Sequence, residues 1–380
     1  MSFNTNYPTV EDLRHKAKRQ MPKFAFDYLD GGCNNNINLH RNTSDIRSVE
    51  FIPNYLKKIK DINLETELFG DIYSAPFGIS PVGLQGLIWP NSAEILAEAA
   101  VKKNIPFILS TVTTASIEEI GKITNGKFWF QLYHPAEDII RDDILDRAKT
   151  AGCKVLVLLC DVPSFGFRPN DIKNGLAMPP KMNMRNIFQI IGKPKWAFNT
   201  LKYGQPNFNT LKPYMPKNLN LKALGKFMDK TFDGKLWEEK ILAIREKWKG
   251  KIVLKGVASL DDAALAAKCG LDGIIVSNHG GRQLDLGESS FKALQEISKI
   301  YKDKLTVMMD SGIRTGPDIA ATIASGASFT FLGRAFMYGV GALNNKGGTH
   351  TIEILRAQLK QVMEQLGCES TDRLHNFLKR

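Results

Sequence analysis

The nonapeptide SNHGGRQLD, Ser277 to Asp285, is the densest chemical signal in the chain. His279 brings an imidazole whose ordinary pKa suits general-base work near neutral pH. Arg282 brings a permanent cation whose planar fork can grip a carboxylate through two parallel hydrogen bonds. Gly280 and Gly281 let the backbone turn tightly enough to put both in one loop. A lone histidine at a strand end is more often structural; the whole nonapeptide is far more specific.

Such a loop needs rigid elements to carry it. Eight apolar runs read as strands, at 75–80, 106–110, 128–132, 154–160, 251–256, 273–277, 305–310 and 329–333. They are apolar on both faces, as buried parallel strands are. Helical patterns follow at 91–104, 116–123, 136–152, 235–248, 259–270, 288–302 and 315–326, with Gly or Pro at most joins. The region to about residue 70 reads as helices and loops, opening on a helix with Thr9 before an acidic first turn. The pattern predicts an α/β chain of one domain over 1–380. Its fold is a (β/α)8 TIM barrel with an N-terminal helical extension and a long insertion after strand 4. A doubly wound open sheet usually has fewer strands.

In a barrel of this kind chemistry sits at the C-terminal strand ends. Strand 3 ends in Gln131 and Tyr133, strand 4 in Asp161, strand 5 in Lys255 and strand 6 in Ser277 to His279. Strand 7 ends in Asp310 and strand 8 in Gly333 and Arg334. Solvated strand ends would account for one or two of these; six on one rim point to a site, because such groups are costly to bury without a role. Barrels often bind phosphate with the loops after strands 7 and 8. Here these are Asp310-Ser311-Gly312-Ile313-Arg314 and Gly333-Arg334, offering glycine N–H groups and two guanidiniums.

Composition narrows the class. Hydrophobic content of 43% and charged content of 24% suit a globular chain. No apolar run approaches the roughly 18–20 residues of a membrane span. The first twenty residues contain no apolar signal core. The five cysteines are scattered without a CxxC, which argues against a disulfide framework or zinc knuckle and fits a reducing cytoplasm. The formal charge is +12, yet residues 172–228 contain ten Lys or Arg and no carboxylate. One internal segment therefore holds nearly all the excess charge.

SNHGGRQ resembles the signature of the FMN-dependent 2-hydroxy acid oxidases and dehydrogenases, the family of glycolate oxidase, L-lactate dehydrogenase and (S)-mandelate dehydrogenase. FDYLDGG, LSTVTTASIEE, WFQLY, the Asp161–Arg168 segment, LKG, DSGIRTGPD and LGRAFMYG follow in the family's order, so the resemblance covers nearly the whole chain. GLQGLIWP, DSG and LGRA look closest to the mandelate and lactate dehydrogenase branch.

The resemblance implies FMN as cofactor and oxidation of an L-2-hydroxy acid, lactate by default, to the 2-oxo acid. In that reading His279 takes a proton from the substrate and Asp161 pairs with the resulting imidazolium. Arg282 and Arg168 hold the substrate carboxylate with the Tyr28 hydroxyl, and Tyr133 hydrogen-bonds the substrate oxygen. Lys255 lies against the flavin ring, Pro81, Val82, Gly83, Ser110 and Gln131 line it, and Ser277 belongs to the same cofactor set. Asp310 reaches the ribityl chain, while Gly312, Arg314, Gly333 and Arg334 serve the phosphate. Three departures stand out: Leu159 replaces a threonine common in relatives, WPNSAE (89–94) replaces a more usual His-Pro-acid-Gly-acid pattern, and Gly83 replaces a larger residue, leaving room for a bulky substrate.

The resemblance also implies a homotetramer and electron transfer to quinone or another membrane acceptor. The basic segment mixes its charges with Ile187, Phe188, Ile190, Ile191, Trp196, Phe198, Tyr203, Phe208, Tyr214 and Phe227. Bases among interfacial aromatics suit an anionic bilayer surface. The expectation is peripheral docking through 172–228 on the inner face of the cytoplasmic membrane, bearing on the electron acceptor rather than on the substrate. A solvated lid is the plain alternative, and nucleic-acid binding is not expected, since no recognition motif accompanies the charge. An oxidase using O2, an aryl 2-hydroxy acid dehydrogenase, and an FMN isomerase of the isopentenyl-diphosphate type are the competing activities. The last would need a diphosphate pocket instead of a monocarboxylate clamp.

Overall fold

A computed structural model describes residues 3–176, 183–204, 206–216, 227, 231–232 and 235–379. Helices α1 (Val10–Gln20), α2 (Lys23–Asp30) and α3 (Ile37–Ile46) form the N-terminal extension. Thr9 closes a capping box on α1: its hydroxyl accepts from the Asp12 N–H at 3.1 Å, and the Asp12 carboxylate accepts from the Thr9 N–H at 3.0 Å.

A hairpin of β1 (Thr66–Leu68) and β2 (Asp71–Tyr73) follows, where the sequence pattern reads only helix and loop. Its strands are too short to show alternation. Phe69 and Gly70 turn with φ of 53° and 85°, as a two-residue hairpin requires. The hairpin plugs one end of the barrel, with Phe69 against Trp129 and Tyr73 against Phe329.

The eight expected strands all form. They are β3 (Phe77–Ile79), β4 (Ile108–Ser110), β5 (Trp129–Leu132), β6 (Val155–Leu159), β7 (Lys251–Val257), β8 (Gly273–Val276), β9 (Thr306–Met309) and β10 (Phe329–Leu332). All neighbouring pairs are parallel, and a bridge between Ile79 and Phe107 joins the two ends of the sheet. Ile108, Trp129, Val157, Val253, Ile275, Met308 and Phe331 fill the interior, so the barrel is a packed core and not a pore.

Helices α4 (Gln85–Ile88), α5 (Ser92–Lys103), α6 (Ile117–Thr124) and α7 (Asp138–Thr150) follow the first strands. The insertion then contributes α8 (Pro169–Lys173), α9 (Met184–Ile191) and α10 (Pro194–Tyr203) before the ring resumes with α11 (Glu238–Lys247). The ring continues through α12 (Leu260–Lys268), α13 (Ser290–Tyr301), α14 (Gly316–Ala324) and α15 (Arg334–Leu343), and α16 (Gly347–Leu366) packs outside it. Residues 177–182, 205, 217–226 and 228 of the basic segment lie outside the described residues.

Helix α9 is inside out. Met184, Ile187, Phe188 and Ile191, spaced to share one face, are exposed, and Asn186 is the residue it buries. On α10, Phe198 and Leu201 are exposed, Leu201 at 85%. Both helices are nevertheless anchored inward. The Trp196 indole donates to the Ile88 carbonyl at 3.1 Å and packs edge-on against Phe24, while the Gln189 side chain accepts from the Phe24 N–H at 3.0 Å. Trp196 and Phe208 are therefore buried aromatics and not part of an outer surface.

Candidate active site

Asp161 and His279 follow β6 and β8, two strands that flank β7. What lets them meet is Gly256 in β7. It holds φ of +104° beside an irregularity in the strand register, and a Cβ there would lie 2.6 Å from the Asp161 side chain. His279 takes up the left-handed conformation at φ 58°, held by its N–H donating to the Ser277 hydroxyl at 3.1 Å. Its Nδ1 then lies 3.1 Å from Asp161 Oδ1.

Burial lowers the His279 pKa below its ordinary value although Asp161 opposes the shift. Burial also works against the Asp161 carboxylate, but His279 and Lys255 outweigh it and hold its pKa below the usual range. The resting pair is therefore a carboxylate and a neutral imidazole. With the ionised Asp161 accepting from Nδ1–H, Nε2 is left as the basic nitrogen.

The two arginines stand beside this pair. Arg282 Nη1 donates to the Tyr28 carbonyl at 2.5 Å and to the Gly31 carbonyl at 3.0 Å, and its guanidinium lies 4.7 Å from the Tyr28 ring centre. Its Nη2 is buried without a hydrogen-bond partner. Burial, then the Arg168 charge, lowers the Arg282 pKa. Arg168 is tied to the same loop: Nε donates to the Arg282 carbonyl at 3.4 Å and Nη2 to the Gln283 side chain at 3.1 Å. The Gln283 amide also donates to the carbonyls of Asp161 and Ser164 at 3.0 and 2.9 Å. Gln283 thus ties the loop after β6 to the loop after β8, a positioning role that no local sequence pattern assigned to it. Burial, then the Asp161 charge, raises the Tyr133 pKa, so its hydroxyl keeps its proton and can donate.

A cavity of about 490 Å³ joins these groups to the far rim. Of the expected residues, Tyr28, Pro81, Val82, Gly83, Tyr133, Arg168, Lys255, His279, Arg282, Asp310, Gly312, Arg314, Gly333 and Arg334 line it. Asp161, Ser110, Gln131 and Ser277 are not among its lining residues. Gly83 does not simply open space, since a Cβ there would meet Val112 at 3.1 Å. Leu176, Phe208 and Phe232 of the insertion also line the cavity, beside Asp171 and Ile172 on α8, so the basic segment is not remote from the site. Nothing in the sequence pattern placed the first three there, because each reaches the wall from a loop with no periodicity.

The wall suits a flat, anionic cofactor. Lys255 is only 3% exposed, donates to the Ser277 hydroxyl at 3.0 Å and pairs with Asp310 at 3.2 Å. Burial opposes its charge, but Asp310 and Asp161 outweigh burial and hold its pKa above the ordinary lysine value. The Gln131 amide nitrogen is a buried donor without a partner, which leaves a hydrogen bond for a ring heteroatom to accept. At the far end, Arg334 donates to the carbonyls of Leu29, Gly280 and Gly31 at 2.9, 3.0 and 2.8 Å. Burial, then the nearby Arg314 charge, presses its pKa down to about 9. Two crowded guanidiniums beside the Gly312 and Gly333 backbone make a site that a phosphate would relieve. Among the described residues no cluster could hold a metal ion.

Residues 17–379 match the FMN-dependent dehydrogenase family. The chain is 36% identical over 367 residues to an L-lactate dehydrogenase of Caulobacter sp. (strain K31), covering 96% of each. An L-lactate dehydrogenase of Pseudomonas syringae pv. syringae (strain B728a) is 37% identical over the same shares. Among solved structures, the monotopic membrane protein (S)-mandelate dehydrogenase superposes with a TM-score of 0.92 at 31% identity, over 99% of this chain and 100% of that one. A mandelate oxidase superposes with a TM-score of 0.82 at 30% identity, over 98% of each.

Proposed function

This chain belongs to the FMN-dependent dehydrogenase family and oxidises 2-hydroxy acids with FMN; from that premise we propose that L-lactate is its substrate and a membrane quinone its electron acceptor. The observation that carries the substrate class is the His279–Asp161 pair beside two guanidiniums in one cavity. Arg168 and Arg282, with the Tyr28 hydroxyl, hold the substrate carboxylate and so fix its C2 carbon. His279 Nε2 accepts a proton from C2 or its hydroxyl, and Asp161 stabilises the imidazolium that results. The Tyr133 hydroxyl donates to the substrate oxygen as it becomes a carbonyl. FMN, when bound, takes up the two electrons that leave C2. Lys255 and Gln131 would hold its ring system, Pro81, Val82, Gly83 and Ser110 would pack along it, Asp310 and Ser277 would serve its polar edge, and Gly312, Arg314, Gly333 and Arg334 would hold its phosphate.

Anaerobic titration of the yellow protein checks this reading. L-lactate is expected to bleach the flavin absorbance to completion, whereas bleaching by none of L-lactate, glycolate and (S)-mandelate rejects it. A second reading, a substrate with a larger apolar side chain, is favoured by Leu84, Val112, Phe165, Phe208 and Phe232 on the wall. It predicts faster bleaching by (S)-mandelate than by L-lactate.

The outward apolar faces of α9 and α10, within a segment rich in lysine, support docking on an anionic bilayer at the cytoplasmic side. No helix among the described residues is long and apolar enough to cross a membrane. Each large exposed side chain contributes on the order of 1–2 kcal/mol when buried in the interface. Replacing Phe188, Ile191, Phe198 and Leu201 together by glutamate is expected to lower partition onto anionic vesicles at least about a hundredfold. Flavin bleaching should persist, because none of the four lines the cavity. Undiminished sedimentation with vesicles would rule these faces out as the docking surface.

A further inference from the structure

The carboxylate clamp contains an anion of its own. Asp171, on α8 at the start of the insertion, lines the cavity and is 8% exposed. One of its oxygens, Oδ2, lies 3.9 Å from Arg168 Nη1 and 3.7 Å from Arg282 Nη2. Both separations are too long for a hydrogen bond. The Arg282 Nη2 that faces it is the buried donor without a partner. Asp171 is thus held between two cations by charge alone, and at least one of their donors stays free for a second acceptor.

A buried carboxylate is costly unless charge compensates it. Two adjacent guanidiniums are equally costly without an anion. With Asp171 ionised the cluster carries one net positive charge, which a monocarboxylate neutralises. Without it the cluster would carry two and would favour a dianion. Besides the two arginines, Asp27 on α2 also acts on this carboxylate. Burial, against the pull of Arg282 and Arg168, raises the Asp171 pKa, and Asp27 adds to the rise.

We propose that Asp171 is the resident counter-ion of the Arg168–Arg282 clamp, a positioning residue that sets the clamp's net charge to match a monocarboxylate substrate. The inference rests on the reading of these arginines as the carboxylate site. It explains why an acid that contributes no proton to the reaction stands on the cavity wall. It also makes the first turn of the insertion a determinant of selectivity.

Calorimetric binding of propanoate and malonate to the oxidised holoenzyme tests it. The two ions match in chain length and differ by one charge. Asp171→Asn is expected to tighten propanoate roughly tenfold and malonate roughly a hundredfold, because a dianion feels the removed charge twice. Asp171→Glu, which keeps the charge, should retain the selectivity of the parent. A merely structural role predicts instead that Asp171→Asn weakens both ions, or shifts both by the same factor, and either result overturns the proposal. Asp171→Ser, smaller and also neutral, gives the same reading if the amide is not tolerated. If neither ion binds the parent protein and no 2-hydroxy acid bleaches it, the clamp reading itself has failed.

Discussion

His279→Gln is expected to leave the protein yellow yet slow its bleaching by 2-hydroxy acid by about 10²–10⁴-fold, the usual contribution of a positioned general base. Glutamine has nearly the reach of histidine and can still donate to Asp161 Oδ1, which lies 3.1 Å from the imidazole. Asp161 is therefore not left as an unpaired buried charge, and the loss reports on the missing base. The same assignment fixes a pH dependence. Only neutral His279 can accept a proton, so bleaching falls as pH falls through its pKa. Burial holds that pKa below the ordinary 6.5. The acid limb of the rate profile should therefore lie below pH 6.5 and vanish in His279→Gln. Normal bleaching by the variant, or a limb above pH 6.5, removes His279 from the role.

Arg282→Met should cost kcat/KM about 10²–10⁴-fold, corresponding to roughly 3–5 kcal/mol for removing one partner from a buried ionic cluster. Three losses coincide. The substrate carboxylate loses a free donor, the carbonyls of Tyr28 and Gly31 lose theirs, and Asp171 is left with Arg168 alone. Most of the effect should fall on KM, since these contacts hold the carboxylate in ground and transition states alike. Arg282→Lys should recover little, because an ammonium cannot bridge two carbonyls and keep a donor for substrate in the same plane. An unchanged KM in Arg282→Met would show that the carboxylate binds elsewhere.

The eight barrel strands were legible because a parallel strand covered on both sides must be apolar throughout, and such runs stand out. The meeting of His279 and Asp161 was legible for the opposite reason: an ionisable group at the end of an apolar run is conspicuous. The β1–β2 hairpin was not legible, since three residues per strand cannot display a period. Helix α15 gave no amphipathic signal because all of Arg334 to Ala342 is buried, so it lacks a polar face. Asp171 and Gln283 were invisible for another reason. Their significance lies in contacts across more than a hundred positions, from Asp171 to Arg282 and from Gln283 to Asp161, which no local pattern encodes. The basic segment was half legible. Its charge and aromatics were plain, but only backbone placement separates the outward Phe188 from the inward Trp196 and Phe208.

The insertion leaves the barrel at Arg168 and returns beside Tyr133. Arg168 and Asp171 stand at its first turn, and at its far end Phe232 packs against the Tyr133 ring while Ala136 donates to the Thr231 carbonyl at 2.7 Å. It is consequently not a detachable module. A transplant of the whole segment between relatives would exchange part of the substrate wall along with the surface. The seam for a graft that changes only where the enzyme resides runs inside it, around the span from α9 to α10, with Trp196 and Gln189 retained as the two pins that seat the foreign helices.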